Sequence, residues 1–204
     1  MELSSSRLLG IIGALFMVIG LIPTIGFLLM IVGIIFVLVA MKGYSDAYHE
    51  GSIFHNSLYT VVFIIIGFAV FIGVLFFGLM NLLASVGITN LTQLNSWQSI
   101  NWQQVINTSN ILQFVGAIIL GLVVLFAFTV IASLYFRRAL TTLGEKTGVK
   151  LFHTTGTVFF VGALLTIIFV GFIVIWVSLI LLLVCFIESK PQVPMPQAQQ
   201  QTPQ

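Results

Sequence analysis

The sequence predicts an all-α, multi-pass transmembrane helical bundle with no soluble domain. Hydrophobic residues make up 59% of the chain and charged residues only 6%, whereas about a quarter of the residues in a soluble domain are charged. Between Leu8 and Ile187 only eight residues are charged, and all of them lie in two windows, 42–50 and 137–150. Because a charge at the bilayer centre costs about 2.5 to 3.5 kcal/mol, the uncharged stretches are predicted to be membrane segments.

The first apolar stretch, residues 8–41, predicts a helical hairpin. As a single helix it would be ~51 Å long, against a hydrocarbon core of ~30 Å. Pro23 lacks an amide hydrogen and favours a turn, which divides the stretch into segments 8–22 and 25–41. These are only ~22 and ~26 Å long. The hairpin is therefore either fully transmembrane or re-entrant, and in both cases the chain returns to the side from which it started.

Three longer apolar segments follow, at 58–86, 111–136 and 157–187. Together with the hairpin they give about five membrane segments in a single membrane domain, residues 1–187. The remaining residues, 188–204, contain four of the five prolines and six glutamines. Such a composition cannot bury enough apolar surface to fold, so a disordered tail is predicted.

The distribution of basic residues predicts the orientation in the cell membrane. With five segments, Lys190 falls alone on one side, and the other six basic residues share the opposite side: Arg7, Lys42, Arg137, Arg138, Lys146 and Lys150. The positive-inside rule then assigns the N-terminus and the loops 42–57 and 137–156 to the cytoplasm. The loop 88–110 and the C-terminal tail are predicted to be external.

The predicted external loop contains two sites of the Asn-x-Ser/Thr type. Asn90 begins the sequence Asn-Leu-Thr, and Asn107 begins the sequence Asn-Thr-Ser. Both are candidate glycosylation sites, since this pattern is the acceptor for N-linked glycans on external surfaces. Chance occurrence in a loop rich in asparagine and threonine is the alternative.

The inner loops contain the candidate metal-binding and catalytic residues. Asp46, His49 and Glu50 would share one face of a helix at spacings i, i+3 and i+4, with His55 close by and His153 in the second loop. Carboxylates and imidazoles are ligands for divalent metals. A solvated helix with a Lys42 to Asp46 ion pair would have the same residues, so no metal or cofactor is predicted.

Other classes of function lose support from the composition. The net charge is only +2 and no run of basic residues is present, which disfavours nucleic-acid binding. Cys185 is the single cysteine, so an intrachain disulfide is excluded. The apolar segments contain no ionisable side chain of the kind that proton-coupled carriers and intramembrane enzymes usually need, and we therefore expect that the protein is not an enzyme.

Small residues recur four apart in several segments, which lets helices approach closely, and we expect most of these pairs to pack the five helices together, with recruitment of a partner as the alternative. The pairs are Gly10/Ala14, Ala69/Gly73, Ala117/Gly121 and Thr129/Ser133. The leading prediction is a non-catalytic accessory or organising subunit that packs with itself or with another membrane protein. The alternative is a transporter or channel for a neutral or weakly polar solute. An enzyme acting at the inner face through the candidate cluster comes third.

A short motif occurs twice, as Ile53-Phe54-His55 and as Leu151-Phe152-His153, each time just before an apolar segment. A duplicated structural unit, as in some transporters, would produce this pattern. The alternative is that each phenylalanine packs into the membrane interface while each histidine faces the lipid headgroups.

The two inner loops and their flanking helices carry a family resemblance. In the first half these are the hairpin around Ile22-Pro23, the arm Gly33 to Ala40 and the residues that follow it, Lys42, Ser45-Asp46 and Ile53-Phe54. In the second half it is the stretch Glu145 to Phe152. These residues resemble the archaeal integral membrane proteins grouped as domain of unknown function 996. The resemblance implies an archaeal plasma membrane and a multi-helix fold, and it implies no activity.

Overall fold

The computed structural model describes residues 3–20, 26–85 and 108–189, and these residues form a bundle of six α-helices with no β-strand. A short 3-10 turn, Thr166–Ile168, follows the fifth helix. The all-α class predicted from the sequence is confirmed. The helices are α1 (Leu3–Ile19), α2 (Gly26–Ala47), α3 (Gly51–Ser85), α4 (Thr108–Thr147), α5 (Leu151–Leu165) and α6 (Gly171–Glu188).

Five helices in the described part of the chain are long and apolar enough to cross a membrane. They are α2, α3, α4, α5 with its 3-10 extension, and α6, whereas α1 is a shorter apolar helix of 17 residues. Their length and hydropathy make this a multi-pass helical membrane bundle. The two longest, α3 and α4, have 35 and 40 residues, which corresponds to ~52 and ~60 Å.

The six helices form a closed ring. Each helix packs against its neighbours in sequence, and α1 also packs against α6. At one end of the ring, Arg7 Nε donates a hydrogen bond of 3.1 Å to the Phe186 carbonyl, and Lys146 Nζ lies 3.1 Å from Glu50 Oε2. We call this the charged end. It contains the beginnings of α1, α3 and α5 and the ends of α2, α4 and α6.

The predicted segment 157–187 is wrong as a single span, because it contains two helices and a turn. Phe169 has a left-handed backbone conformation with φ of 61°, and Gly171 packs so closely against α5 that a Cβ atom would overlap the Gly162 carbonyl and the Thr166 amide. Apolar residues occupy positions 167–170, and no proline marks the turn. The chain therefore reverses direction within residues 157–187, which the hydropathy profile shows as one continuous apolar segment.

This reversal changes the relative position of the chain ends. Ser189 lies at the charged end, where its hydroxyl is 2.8 Å from the Tyr44 hydroxyl. The sequence predicted that the N-terminus and the tail lie on opposite sides. This is wrong for Ser189, the last described residue, which lies at the same end of the bundle as the beginning of α1. The predicted disordered tail, residues 188–204, is wrong for its first two residues, because Glu188 ends α6 and Ser189 is hydrogen-bonded to Tyr44. Residues 190–204 lie outside the described residues.

The hydrophobic core is concentrated near the charged end. The largest fully buried side chains there include Tyr44, Phe152, Phe186, Met41 and Ile53. Farther from this end α3 and α4 continue as a pair, which we call the α3–α4 arm and define as residues 65–85 and 111–127. Within the arm the buried residues are glycines, Gly67, Gly78 and Gly121, which contact side chains of the partner helix.

Candidate functional site

The structure does not bring the predicted metal ligands together. Helix α2 continues through Ala47 and is followed by a three-residue loop, so Asp46, His49 and Glu50 do not share one helical face. Asp46 Oδ1 is 2.9 Å from Lys42 Nζ, and Glu50 pairs with Lys146. Among the described residues no group of three or more His, Cys, Asp or Glu side chains is placed to hold a metal ion.

The two histidines of the repeated motif lie at different places. His55 is exposed, with Nδ1 2.7 Å from the Gly51 carbonyl oxygen, and His153 is exposed on α5. Their neighbours differ more strongly. The ring of Phe54 lies 5.3 Å from Lys42 Nζ, whereas Phe152 is fully buried with its ring 5.6 Å from that of Phe186. The motifs therefore do not occupy equivalent environments.

Glu50 links the loop between α2 and α3 to the end of α4. The hydrogen bond from Lys146 holds the pKa of the Glu50 carboxyl below its ordinary value, with a second contribution from the Ser52 hydroxyl, 2.9 Å from Oε1. The Ser45 hydroxyl also donates to the Glu50 backbone carbonyl at 3.0 Å. These contacts fix the loop against α4 and give Glu50 a structural role.

Aromatic rings accompany the basic side chains at the charged end. Arg137 lies 5.8 Å from the Phe160 ring centre, and Arg138 lies 5.7 Å from that of Tyr135. Long basic side chains beside aromatic rings are typical of the boundary between hydrocarbon and headgroups. The level of Arg137 and Arg138 therefore has the side chains expected at one face of a membrane.

Polar contacts that join α6 to the rest of the ring were not anticipated from the sequence. Arg7 donates to the carbonyls of Phe186 and Ile187, so a cation from α1 caps the C-terminus of α6. Deeper in the bundle, the Thr155 hydroxyl is 3.2 Å from Cys185 Sγ, and the Ser178 hydroxyl donates to the Thr155 carbonyl. Sequence separations of up to 180 residues hide such pairs from local patterns.

A groove with a volume of about 640 Å³ lies on the α3–α4 arm. Its floor is made of small residues, since a Cβ atom on Gly78 would lie 2.7 Å from the Cβ of Ala117. Phe77 and Leu120 contribute apolar walls, and three uncharged polar residues line it toward the end of the arm: Asn81, Ser85 and Gln113.

Two glycines at this groove have open space in front of them. A Cβ atom on Gly73 or on Gly116 would meet nothing within 4 Å. Gly73 lines the groove, and Gly116 borders it because it lies one helical turn from both Gln113 and Leu120. By contrast, Gly10 packs against the Phe186 ring. The predicted small-residue spacing thus serves internal packing at Gly10 and leaves an uncovered surface at Gly73.

The predicted glycosylation sites Asn90 and Asn107 lie outside the described residues. They stay predictions.

The helices, their hydropathy and the gathering of charges at one end define a multi-pass helical membrane protein. The protein belongs to the family of proteins of unknown function designated DUF996, whose sequence model matches residues 29–180. The resemblance seen in the inner loops is thereby confirmed.

One relative is archaeal. The uncharacterized protein MJ1644 of Methanocaldococcus jannaschii is 26% identical over 189 residues, which cover 91% of this chain and 92% of the relative. No solved structure matches the chain.

Proposed function

We propose that this protein is a non-catalytic accessory or organising subunit of the cell membrane and that it associates with a second copy of itself through the groove of the α3–α4 arm. The observation that carries the proposal is the small-residue surface around Gly73 and Gly116, which no other part of the described chain covers. The charged end would face the cytoplasm under the positive-inside rule.

Association in lipid depends on shape, because lipid chains are as apolar as the helix surface. Interfaces between transmembrane helices are accordingly enriched in small residues that allow close approach. The groove offers such a surface, and Phe77, which forms one of its walls, has 69% of its surface exposed. A two-fold interface requires one patch to be self-complementary. A groove next to an exposed ridge meets that requirement.

The hydroxyl groups of the apolar segments favour this proposal over a transport pathway. A transporter for a neutral solute predicts serine and threonine hydroxyls that line a cavity near the bilayer midplane. In the structure they donate to backbone carbonyls, as Thr129 does to Leu125, Ser133 to Val130 and Ser178 to Thr155. The amides at the end of the groove, Asn81 and Gln113, are the feature that would serve a solute instead.

The mass of the protein in lipid nanodiscs and in several mild detergents, measured by native mass spectrometry, tests the proposal. We expect a dimer for the natural sequence and a monomer for Gly73→Leu and Gly116→Leu, since the added side chain fills the groove at Gly73 and covers open surface at its border at Gly116. Val161→Leu adds volume at an exposed position on α5 and is the matched control, expected to be dimeric. A monomer in every condition would contradict the proposal and lead to uptake measurements with neutral solutes in liposomes.

A further inference from the structure

The turn between α5 and α6 has an apolar, outward-facing surface. The exposed fractions of Ile167, Ile168, Phe169 and Val170 are 68%, 58%, 77% and 50%. Turns that face water are usually built from glycine, proline, asparagine, aspartate and serine. Four large apolar side chains at the tip of a hairpin are instead suited to contact with hydrocarbon.

The backbone of this turn is hydrogen-bonded within itself. The amide of Phe169 donates to Thr166, that of Val170 to Ile168, and that of Ile173 to Val170, at distances of 2.8 to 3.1 Å. The Thr166 hydroxyl donates to the Ala163 carbonyl at 2.6 Å. Lipid supplies no hydrogen-bond partners, so irregular backbone at membrane depth must be satisfied internally. The amides of Phe169, Val170 and Ile173 meet this requirement.

The depth of the turn follows from the contact between α5 and α4. A Cβ atom on Gly156 would lie 3.0 Å from the Cα of Arg137, so Gly156 is level with one of the arginines that mark the membrane boundary. From Gly156 to Ile168 the chain rises only ~18 Å, against a hydrocarbon core of ~30 Å. From Arg137 to Ile111, α4 rises ~39 Å.

The first hairpin has similar dimensions. From Arg7 to Gly20 α1 rises ~20 Å, and from Lys42 to Gly26 α2 rises ~24 Å. Near its far end Phe27 and Leu28 are strongly exposed. Measured from Arg7 and Lys42 in the first hairpin and from Gly156, level with Arg137, in the second, both hairpins thus extend less than the ~30 Å of the hydrocarbon core.

We infer that the α1–α2 and α5–α6 hairpins are re-entrant: they enter the membrane from the charged end, stop within the hydrocarbon and contact lipid with their tips, so that only α3 and α4 cross the bilayer. The inference extends to both hairpins the re-entrant alternative that the sequence left open for the first. It does not depend on the proposed self-association, since either outcome for the groove leaves the depth of the tips unchanged.

Spin labels on single cysteines in the full-length protein, reconstituted in phosphatidylcholine liposomes, test the inference. Cys185→Ser provides the background and replaces the thiol near the Thr155 hydroxyl by a hydroxyl group. Phe169→Cys and Phe27→Cys report on the tips, while Ser85→Cys at the end of α3 and His153→Cys at the charged end report on the two aqueous boundaries. Each replaced residue is exposed, so the substitutions should leave the packing of the bundle unchanged. Ile168→Cys provides a second reporter on the tip of the α5–α6 hairpin.

The readout is the collision rate of each label with oxygen, which concentrates in hydrocarbon, and with a water-soluble nickel chelate. We expect labels at positions 27, 168 and 169 to be more accessible to oxygen than to nickel, with the order reversed at positions 85 and 153. A tip label as accessible to nickel as the label at position 85 would overturn the inference. Shielding of a tip label from both reagents would also overturn it, because the tip would then contact protein.

Discussion

The charged end and the α3–α4 arm are held together in different ways. Near the charged end, all six helices meet around buried aromatic and aliphatic side chains, and Arg7, Tyr44 and Ser189 join distant parts of the chain by hydrogen bonds. The arm has only two helices, which approach through glycines such as Gly67 and Gly78, and most of its large side chains are exposed.

This difference separates two tasks that one apolar sequence performs. The charged end contains the contacts that specify the fold, because large side chains interlock there and few alternatives fill the same space. The arm contributes length and surface. Its exposed residues are suited to lipid or to another protein, and they are consequently the place where association can evolve without loss of the fold.

The largest expected effect comes from the core of the charged end. Phe186→Ala removes a fully buried ring that packs against Gly10, Tyr44 and Phe152. Losing the buried ring and leaving a cavity in its place should lower the free energy of unfolding by roughly 3 to 5 kcal/mol. Phe77→Ala on the arm is the control and should change it little. Reversible unfolding in mixed micelles measures both, and equal losses would show that the arm is packed as tightly as the core.

A second comparison concerns close helix contacts. Gly13→Ala places a methyl group about 2.8 Å from backbone atoms of Gly33 and Val37. Overpacking of this kind typically costs about 1 to 3 kcal/mol, and the same unfolding measurement should show the loss. Gly116→Ala has open space and should show none. An unaffected Gly13 variant would mean that α1 and α2 separate easily.

The cap on α6 should have a smaller effect. Arg7→Met keeps the length of the side chain and removes the hydrogen bonds to Phe186 and Ile187. Interaction of a cation with a helix C-terminus contributes about 0.3 to 1 kcal/mol. We expect a loss of this size and faster hydrogen exchange at the end of α6. Arg138→Met, which loses its contact with Tyr135, is the control and should leave exchange in α6 unchanged.

The smallest effect is a pH dependence of the Glu50 to Lys146 pair. Because folding lowers the pKa of Glu50 from an ordinary value of 4.5, the pair contributes stability above that pH and loses it as the pH falls through the lowered pKa. Glu50→Gln should therefore be slightly less stable than the natural sequence at pH 7 and equally stable once the carboxyl is protonated. A constant difference between the two at all pH values would argue against the pair.

Composition and hydropathy were sufficient to predict the helical class, the first hairpin and the positions of α3 and α4. The helix ends were harder to predict, as Asp46 and Glu50 show: the sequence suggested that both lie on one face of a helix, whereas α2 ends at Ala47 and Glu50 lies in the following loop. A solvated helix end and an independent helix have the same local pattern.

The turn after α5 was missed because its signal lies in packing. Residue 171 must be glycine because a Cβ atom there would overlap the backbone of Gly162 and Thr166. Glycine is common inside membrane helices, however, and does not by itself predict a turn. The α6 cap by Arg7 and the groove at Gly73 depend on contacts between helices remote in sequence. No periodicity within one helix shows which of its glycines will face a neighbour.

The most direct test of the arm as an association surface is disulfide crosslinking in native membranes with single cysteines in the Cys185→Ser background. Gly73→Cys and Val161→Cys place the thiol on the arm and on α5. We predict an oxidised dimer at position 73 and little crosslinking at position 161. Equal crosslinking yields at both positions would contradict the account. The absence of a crosslink at position 73, in a protein that stays monomeric, would contradict it as well.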